Sequence, residues 1–147
     1  MSRGWLLDTN IVSELAKGAR ADRGVLAWAT ERDEADLFLC VITLGEIAKG
    51  IGLAEERGRD MRRQREFFER ELPARFGRRI LPLDADAAIA WGRLMQRLQG
   101  RRDDERRLAI DAQIAAIAEV AELEICSRNR RDFERLGVAV VDPFLRP

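Results

Sequence analysis

Five short apolar runs, separated by longer amphipathic stretches, constrain the fold of this chain most strongly. The runs lie at residues 5–7, 37–42, 80–83, 123–126 and 138–141. Several of them are continuously apolar instead of alternating, which is typical of strands buried on both faces of a parallel sheet. The stretches between them predict helices, two within 10–30, two within 44–76, one at 85–99 and one at 105–121.

This alternation predicts a three-layer α/β fold with a mostly parallel sheet of four or five strands, flanked by helices. The connection between the last two strands spans only residues 127–137, whereas a parallel crossover usually takes roughly a dozen residues or more. The pairing direction of the last strand is therefore open. The chain has 147 residues, which at about 100–200 residues per domain predicts one domain over residues 1–147.

The residue composition excludes several classes of enzyme. The chain has no histidine, so it holds no Ser–His–Asp or Cys–His nucleophile and no zinc site that needs imidazole. Its two cysteines, Cys40 and Cys126, lie in apolar runs and are expected to be buried and reduced. No apolar stretch reaches the ~18 residues of a membrane span, and an acid stands where a signal peptide needs an apolar segment. We therefore expect a cytoplasmic protein without a membrane segment.

Acidic residues follow the ends of the predicted strands, where ligands collect in folds of this type. Asp8 comes directly after the first strand, and Glu46 follows the second. Each also has a structural interpretation. Asp8 fits the cap of the next helix. Glu46 fits a capping box with Thr43 or an ion pair with Lys49.

Asp111 lies one and two helical turns before Ala115 and Ala118, on a helix whose small residues predict close packing against the sheet. Ile110 belongs to the apolar stripe beside it. Burial on such a face raises the pKa of a carboxylic acid unless a cation or hydrogen-bond donors hold it ionised. An acid of the first helical turn, favoured by the helix dipole, is the alternative interpretation.

Asp132 follows the fourth strand, close to Ser127 and Asn129. Asn129 and Asp132 also fit the capped start of a short helix. Two further acids are assigned structural roles: Asp84 is the expected cap of the helix at 85–99, and Asp142 precedes a proline in a turn.

Taken together, these acids favour a metal site. Two carboxylates about 4 Å apart repel by about 4 kcal/mol at an effective dielectric constant of 20, and a domain is stable by only about 5–15 kcal/mol. Carboxylates that converge on one cleft therefore need a cation. Oxygen ligands without histidine favour Mg²⁺ or Mn²⁺, and such a centre suits the hydrolysis of a phosphodiester bond.

Six segments in a fixed order are spread over nearly the whole chain: LLDTNIVSEL at 6–15, ITLGEIAKGI at 42–51, RILPLDADAAIAWG at 79–92, IDAQIAAIA at 110–118, SRNRRDF at 127–133 and GVAVVDPF at 137–144. Together they resemble the PIN-domain endoribonucleases, specifically the VapC-type toxins of the FitB-like branch. The resemblance implies a metal-dependent endoribonuclease that is the toxin of a toxin–antitoxin pair. The alternatives are a housekeeping RNA-processing nuclease of the same fold and a catalytically silent binding module.

The resemblance also implies which residues form the site. It implies an acidic quartet of Asp8, Glu46, Asp111 and Asp132. Asp8 and Asp111 are then the main ligands of Mg²⁺ or Mn²⁺, and the other two acids bind directly or through waters. Residues expected to line the site are Asn10, Ser127 and Asn129, with Ser127 standing where the family usually has threonine.

The resemblance implies partners as well: RNA, a VapB/FitA-like antitoxin, and a second copy of the chain or a toxin–antitoxin hetero-oligomer. A helical clip is expected at 45–76. Within and just beyond it, residues 57–79 contain nine arginines and four acids, which fits either RNA contact or a solvated helix with internal ion pairs. Phe67 and Phe68 are about 100° apart on a helix, so only one can point fully into the core. The other is a candidate contact for the antitoxin or the second copy.

Overall fold

The computed structural model describes residues 4–145, with the side chains of Arg102 and Leu145 excepted. Within that range the strands are β1 (Trp5–Leu7), β2 (Leu37–Cys40), β3 (Ile80–Leu81), β4 (Glu124–Cys126) and β5 (Val140–Val141). They form one sheet in the order β3-β2-β1-β4-β5, and every pair of neighbours is parallel. The predicted α/β fold is confirmed, and the last strand is parallel. The outer ends of the predicted domain, 1–3 and 146–147, lie outside the described residues.

The helices of the described chain flank this sheet. They are α1 (Thr9–Leu15), α2 (Arg23–Thr30), α3 (Val41–Glu56), α4 (Arg62–Glu66), α5 (Leu72–Phe76), α6 (Ala85–Arg97), α7 (Arg102–Arg107), α8 (Ala109–Val120) and α9 (Arg130–Arg135). One wide π-helical turn, Phe67–Glu71, joins α4 to α5, so residues 62–76 form one helical stretch. None of the helices described between residues 4 and 145 is long and apolar enough to cross a membrane.

Several predicted boundaries are wrong. Strand β3 ends at Leu81 instead of residue 83, and β5 begins at Val140 instead of residue 138. The second strand ends at Cys40 instead of residue 42, because Cys40 is the last residue with extended backbone and α3 begins at Val41. The helix predicted at 105–121 is interrupted at Leu108, whose backbone departs from helical geometry between α7 and α8. The cap predicted for α6 is confirmed, since the Asp84 carboxylate accepts a 2.9 Å hydrogen bond from the backbone of Ala87.

The apolar core lies on both faces of the sheet, as the continuous apolar runs predict. Along β1, Leu6 belongs to the cluster beneath α6, α8 and α9, and the next residue, Leu7, belongs to the cluster beneath α1, α2 and α3. Cys40 and Cys126 lie in opposite clusters, both buried and unpaired as expected. Successive residues therefore point to opposite faces, so the sheet is the middle of three layers.

The site is positioned by the place where the order of the strands reverses. From β1 the chain runs outward to β2 and β3 on one side, and it returns later to β4 and β5 on the other. The carboxyl ends of β1 and β4 meet at this switch point, where parallel α/β sheets bind ligands. The backbone N–H of Asp8 donates to the carbonyl of Cys126 at 2.9 Å, so the residue after β1 lies beside the end of β4.

Candidate metal centre and active site

Asp8 is both a helix cap and a buried acid of the site. It follows β1, caps α1 with an extended backbone, and is only 5% exposed. Its carboxylate accepts hydrogen bonds from the backbone N–H of Thr9 at 2.8 Å, from Ser127 Oγ at 2.7 Å and from Asn10 Nδ2 at 3.2 Å. Burial raises the pKa of Asp8, and these three donors lower it only in part. The predicted cap is therefore confirmed, and the same carboxylate lies buried at the switch point.

Ser127 connects the ends of β1 and β4. Its fully buried hydroxyl donates to Asp8 and accepts from the backbone N–H of Asn129 at 2.9 Å. The side-chain amide of Asn10 contacts both Asp8 and Ser127 Oγ, and its oxygen accepts from the backbone of Arg128 at 3.0 Å. The structure thus brings together the residues that were expected to line the site.

Asp111 lies in the first turn of α8, half-buried and held by Asn129, whose side-chain amide donates to Asp111 Oδ2 at 2.9 Å. Asn129 is the N-cap residue of α9, as predicted, but its side chain makes no capping bond and binds Asp111 instead. The predicted apolar stripe is wrong at Ile110, which is 44% exposed. The Asp111 carboxylate nevertheless faces the switch point, because its hydrogen-bond partner belongs to the loop after β4.

The pKa of Asp111 is raised to about 7. Burial is the largest cause, followed by the negative charges of Asp8, Asp132 and Glu46. The charge of Arg107 acts in the opposite direction. The other three members of the predicted quartet are therefore near enough to Asp111 for their charges to act on it.

Glu46 reaches the site from the exposed face of α3. The Thr9 hydroxyl donates to Glu46 Oε1 at 2.8 Å. The alternative capping box with Thr43 is wrong, because α3 begins at Val41 and Thr43 is a buried residue inside the helix, 3.6 Å from the sulfur of Cys40. Sequence reasoning missed Thr9 as the residue that holds Glu46, although its position directly after Asp8 was a usable signal.

Asp132 is buried in the first turn of α9 and forms an ion pair that sequence reasoning also missed. Arg107 Nη1 lies 2.6 Å from Asp132 Oδ1. The uninterrupted run of charged residues at 101–107 predicts a solvated loop followed by the start of a helix. No sequence pattern indicates this pair, because it depends on the break at Leu108 between α7 and α8.

The residues present fit a hard divalent cation. Burial and, after it, the charges of the other three acids raise the pKa of Asp111 to about 7, and a positive ion among the acids would offset their repulsion. Within residues 4–145, no three acidic or thiol side chains are gathered tightly enough to hold a metal ion by themselves. Mg²⁺ does not need such a cage, because it usually binds through one or two carboxylates and keeps several waters.

The basic segment 57–79 is rich in ion pairs. Arg65 pairs with Glu55 on α3 and with Glu69 one turn on, and Arg75 pairs with Glu34 across the fold. Further pairs join Arg62 to Asp60 and Arg70 to Glu66. These contacts favour the structural interpretation of the segment over RNA contact.

The sequence matches the PIN domain family over residues 5–139. The chain belongs to the PIN domain family. Among its PIN relatives is "VapC ribonuclease Y4jK" of Sinorhizobium fredii, which is 33% identical over 139 residues, or 95% of this chain and 96% of the relative. "Toxin FitB" of Neisseria gonorrhoeae is 30% identical over 139 residues, 95% of this chain and 97% of the relative.

The fold agrees with that of solved PIN proteins. FitAcB from Neisseria gonorrhoeae superposes with a TM-score of 0.74 and 27% identity, covering 97% of this chain and 99% of that one. The switch point described above therefore lies within a PIN domain.

Proposed function

We propose that this chain is a divalent-metal-dependent endoribonuclease and the toxin of a toxin–antitoxin pair. The observation that carries the proposal is the convergence of Asp8, Glu46, Asp111 and Asp132 at one switch point, where the pKa of Asp111 is raised by burial and then by the charges of the other three. A structural cap explains Asp8 alone, but caps do not explain why four acids from four segments share one site. The similarity to a VapC ribonuclease and to the toxin FitB supports the same function.

Asp8 and Asp111 are the proposed main ligands of Mg²⁺ or Mn²⁺. Ser127, Asn10 and the backbone of Thr9 fix the Asp8 carboxylate, and Asn129 fixes that of Asp111. When bound, the cation supplies positive charge to a phosphodiester and lowers the pKa of water enough for attack near neutral pH.

Glu46 and Asp132 complete the negative charge around the cation, directly or through waters. Asp111 changes its protonation state near neutral pH, so it releases its proton most readily when a cation enters. Because the carboxylates of Asp8 and Asp111 are fixed by their own donors, they would hold the cation in one position, which favours hydrolysis.

Cleavage of a fluorescently labelled single-stranded RNA tests the proposal. We expect cleavage with Mn²⁺ or Mg²⁺, none with excess EDTA, and none by Asp8→Asn or Asp111→Asn at unchanged circular dichroism. Asp86→Asn is the matched control, because Asp86 is an exposed acid in the first turn of α6 and its loss should leave cleavage intact. Full activity of both site variants, or of the wild type in EDTA, contradicts the mechanism.

The proposed protein partner is a VapB/FitA-like antitoxin. The solved structures that this chain resembles are FitAB and VapBC toxin–antitoxin structures. An apolar groove of about 340 Å³ lies between α1, α2 and the helical stretch 62–76, and Leu15, Leu26, Phe67 and Phe76 line it. This groove suits the apolar side chains of an antitoxin helix, and an antitoxin arginine would pair with the acidic quartet. A homodimer and a cytoplasmic location remain predictions.

A further inference from the structure

Arg107 is a cation within the acidic site. It closes α7, and its side chain is 49% exposed. Within the described part of the chain, its guanidinium contacts Asp132 through Nη1 at 2.6 Å and Asp104 through Nη2 at 3.4 Å. An arginine has five N–H donors, so these two contacts leave donors on a half-exposed group beside Asp132.

The neighbouring arginine, Arg135, provides a contrast. It is 45% exposed and also contacts Asp104, at 2.9 Å. Arg135 forms no ion pair with the quartet among the described residues, whereas Arg107 touches Asp132 and its charge reaches Asp111. The two arginines therefore have similar exposure and both pair with Asp104. Of these two, Arg107 is the one that also pairs with an acid of the quartet.

The site as a whole presents a problem for an RNA substrate. Four acids surround the place where a phosphodiester must bind, so the field there is negative and repels a polyanion. A bound divalent cation offsets part of that charge. A guanidinium at the rim of the site offsets more of the negative charge. Its N–H donors lie in the planar arrangement that matches phosphate oxygens, so it also orients the phosphate.

We propose that Arg107 is a phosphate-binding residue for the RNA substrate, held on Asp132 in the free protein and shared with a phosphate next to the scissile bond in the complex. The inference rests on the proposed ribonuclease function. It predicts opposite effects when the charge is removed. Loss of Arg107 weakens RNA binding because a phosphate contact is lost, and it strengthens Mn²⁺ binding because a competing cation is removed.

The test uses full-length protein carrying Asp8→Asn, so that RNA is bound without being cut. Affinity for a fluorescein-labelled single-stranded RNA is measured by anisotropy at several salt concentrations, in Arg107→Gln, Arg107→Lys and Arg135→Gln. Mn²⁺ affinity is measured by electron paramagnetic resonance in the same three variants with Asp8 restored. Thermal melts in EDTA establish that each variant is folded.

We expect Arg107→Gln to bind RNA about tenfold more weakly, as for one lost charged hydrogen bond. The slope of log affinity against log salt should fall by about 0.7, the value for one phosphate contact on a single strand. Mn²⁺ affinity should increase severalfold. Arg107→Lys should recover part of the RNA affinity. Arg135→Gln should change neither affinity by more than about twofold, since among the described residues the ion-pair partner of Arg135 is Asp104.

An RNA affinity and salt slope unchanged by Arg107→Gln overturn the inference. So does a loss of both RNA and Mn²⁺ affinity, because that result means that Arg107 only holds Asp132 in place. These outcomes are separate from failure of the proposed function, which the wild type reveals by not cutting RNA with Mn²⁺.

Discussion

Ser127 Oγ donates a 2.7 Å hydrogen bond to Asp8 Oδ2, with Ser127 fully buried and Asp8 nearly so. The bond joins the ends of β1 and β4, the two strands at the switch point where the order of the strands reverses. Among the donors to Asp8, this hydroxyl lowers the pKa most, against the rise caused by burial. One hydroxyl therefore helps to keep the principal proposed metal ligand ionised.

Replacement of Ser127 by alanine should destabilise the protein and reduce cleavage. The change removes a donor from Asp8 and leaves the backbone N–H of Asn129 without its partner. Leaving buried polar groups unpaired costs about 1–3 kcal/mol. The pKa of Asp8 should rise further, so cleavage should need a higher pH. Chemical denaturation and a pH profile of cleavage measure the two effects.

Ser127→Thr is the control, because threonine keeps the hydroxyl. It should retain the pH profile of the wild type, with a stability change set only by the room available for one methyl group. A Ser127→Ala protein with wild-type stability and an unshifted profile would mean that Ser127 does not govern the ionisation of Asp8.

Asp111→Asn should stabilise the protein in the absence of metal, and increasingly so as the pH rises. The pKa of Asp111 is about 7 in the folded chain, against an ordinary value of 3.8. Between these values the folded state binds more protons than the unfolded state, so the free energy of unfolding decreases as the pH rises. Asparagine removes that decrease and can still accept the hydrogen bond from Asn129.

Thermal melts in EDTA at pH 5 and pH 8 measure this difference. At pH 8 the midpoint of Asp111→Asn should exceed that of the wild type by roughly 2–4 °C, the effect of about 1 kcal/mol in a chain of this size. The difference between the two thermal midpoints should be smaller at pH 5. Mn²⁺ should raise the wild-type midpoint by mass action and that of the variant much less. A variant that is clearly less stable than the wild type at pH 8 would favour a purely structural role for Asp111.

Thr9→Val should reduce cleavage without a large loss of stability. The Thr9 hydroxyl holds Glu46, and the bond lies at the exposed side of the site. Its loss frees the Glu46 carboxylate, so we expect a cleavage rate lower by about three- to tenfold and a change in stability within about 1 kcal/mol. Thr9→Ser keeps the hydroxyl and should cleave like the wild type. Equal cleavage by both variants would show that Glu46 does not need this anchor.

The parts of the site that could be predicted from the sequence are those fixed by the strands. The apolar runs at 5–7 and 123–126 locate the ends of β1 and β4, so Asp8 and Ser127 fall at the switch point as a consequence of the parallel order. The contacts of Thr9 and Arg107 depend instead on how helices approach one another across that point. Arg107 in particular reaches Asp132 because the chain bends at the buried Leu108, a break that the amphipathic pattern of 105–121 does not reveal.

The boundary of α3 illustrates a related limit. Val41 and Ile42 extend the apolar run of β2, and their branched side chains favour a strand, yet both belong to the helix. Local preference is overridden here because the core accepts Thr43 and Ile47 from one face of a helix. That shift of two residues moves Thr43 inside the helix, which is why the capping box with Glu46 does not form.

Phe67→Ala should weaken binding of the antitoxin by about tenfold or more, as loss of a central interface aromatic often does, while RNA cleavage stays unchanged. Phe68 points into the core at 9% exposure, and Phe67, packed edge-on against it at 5.0 Å, is only partly buried and lines the apolar groove. Phe68→Ala is less informative, because it creates a core cavity that costs about 3–5 kcal/mol, a large part of the total stability of a domain.

Phe67→Leu is the matched control and should retain most of the affinity, since it keeps an apolar side chain in the groove. Isothermal titration of the folded variants with the purified antitoxin measures the effect, and sedimentation checks the oligomeric state. If Phe67→Ala changes neither the antitoxin affinity nor the oligomeric state, the groove is not the docking surface, and the acidic site is unaffected by that result.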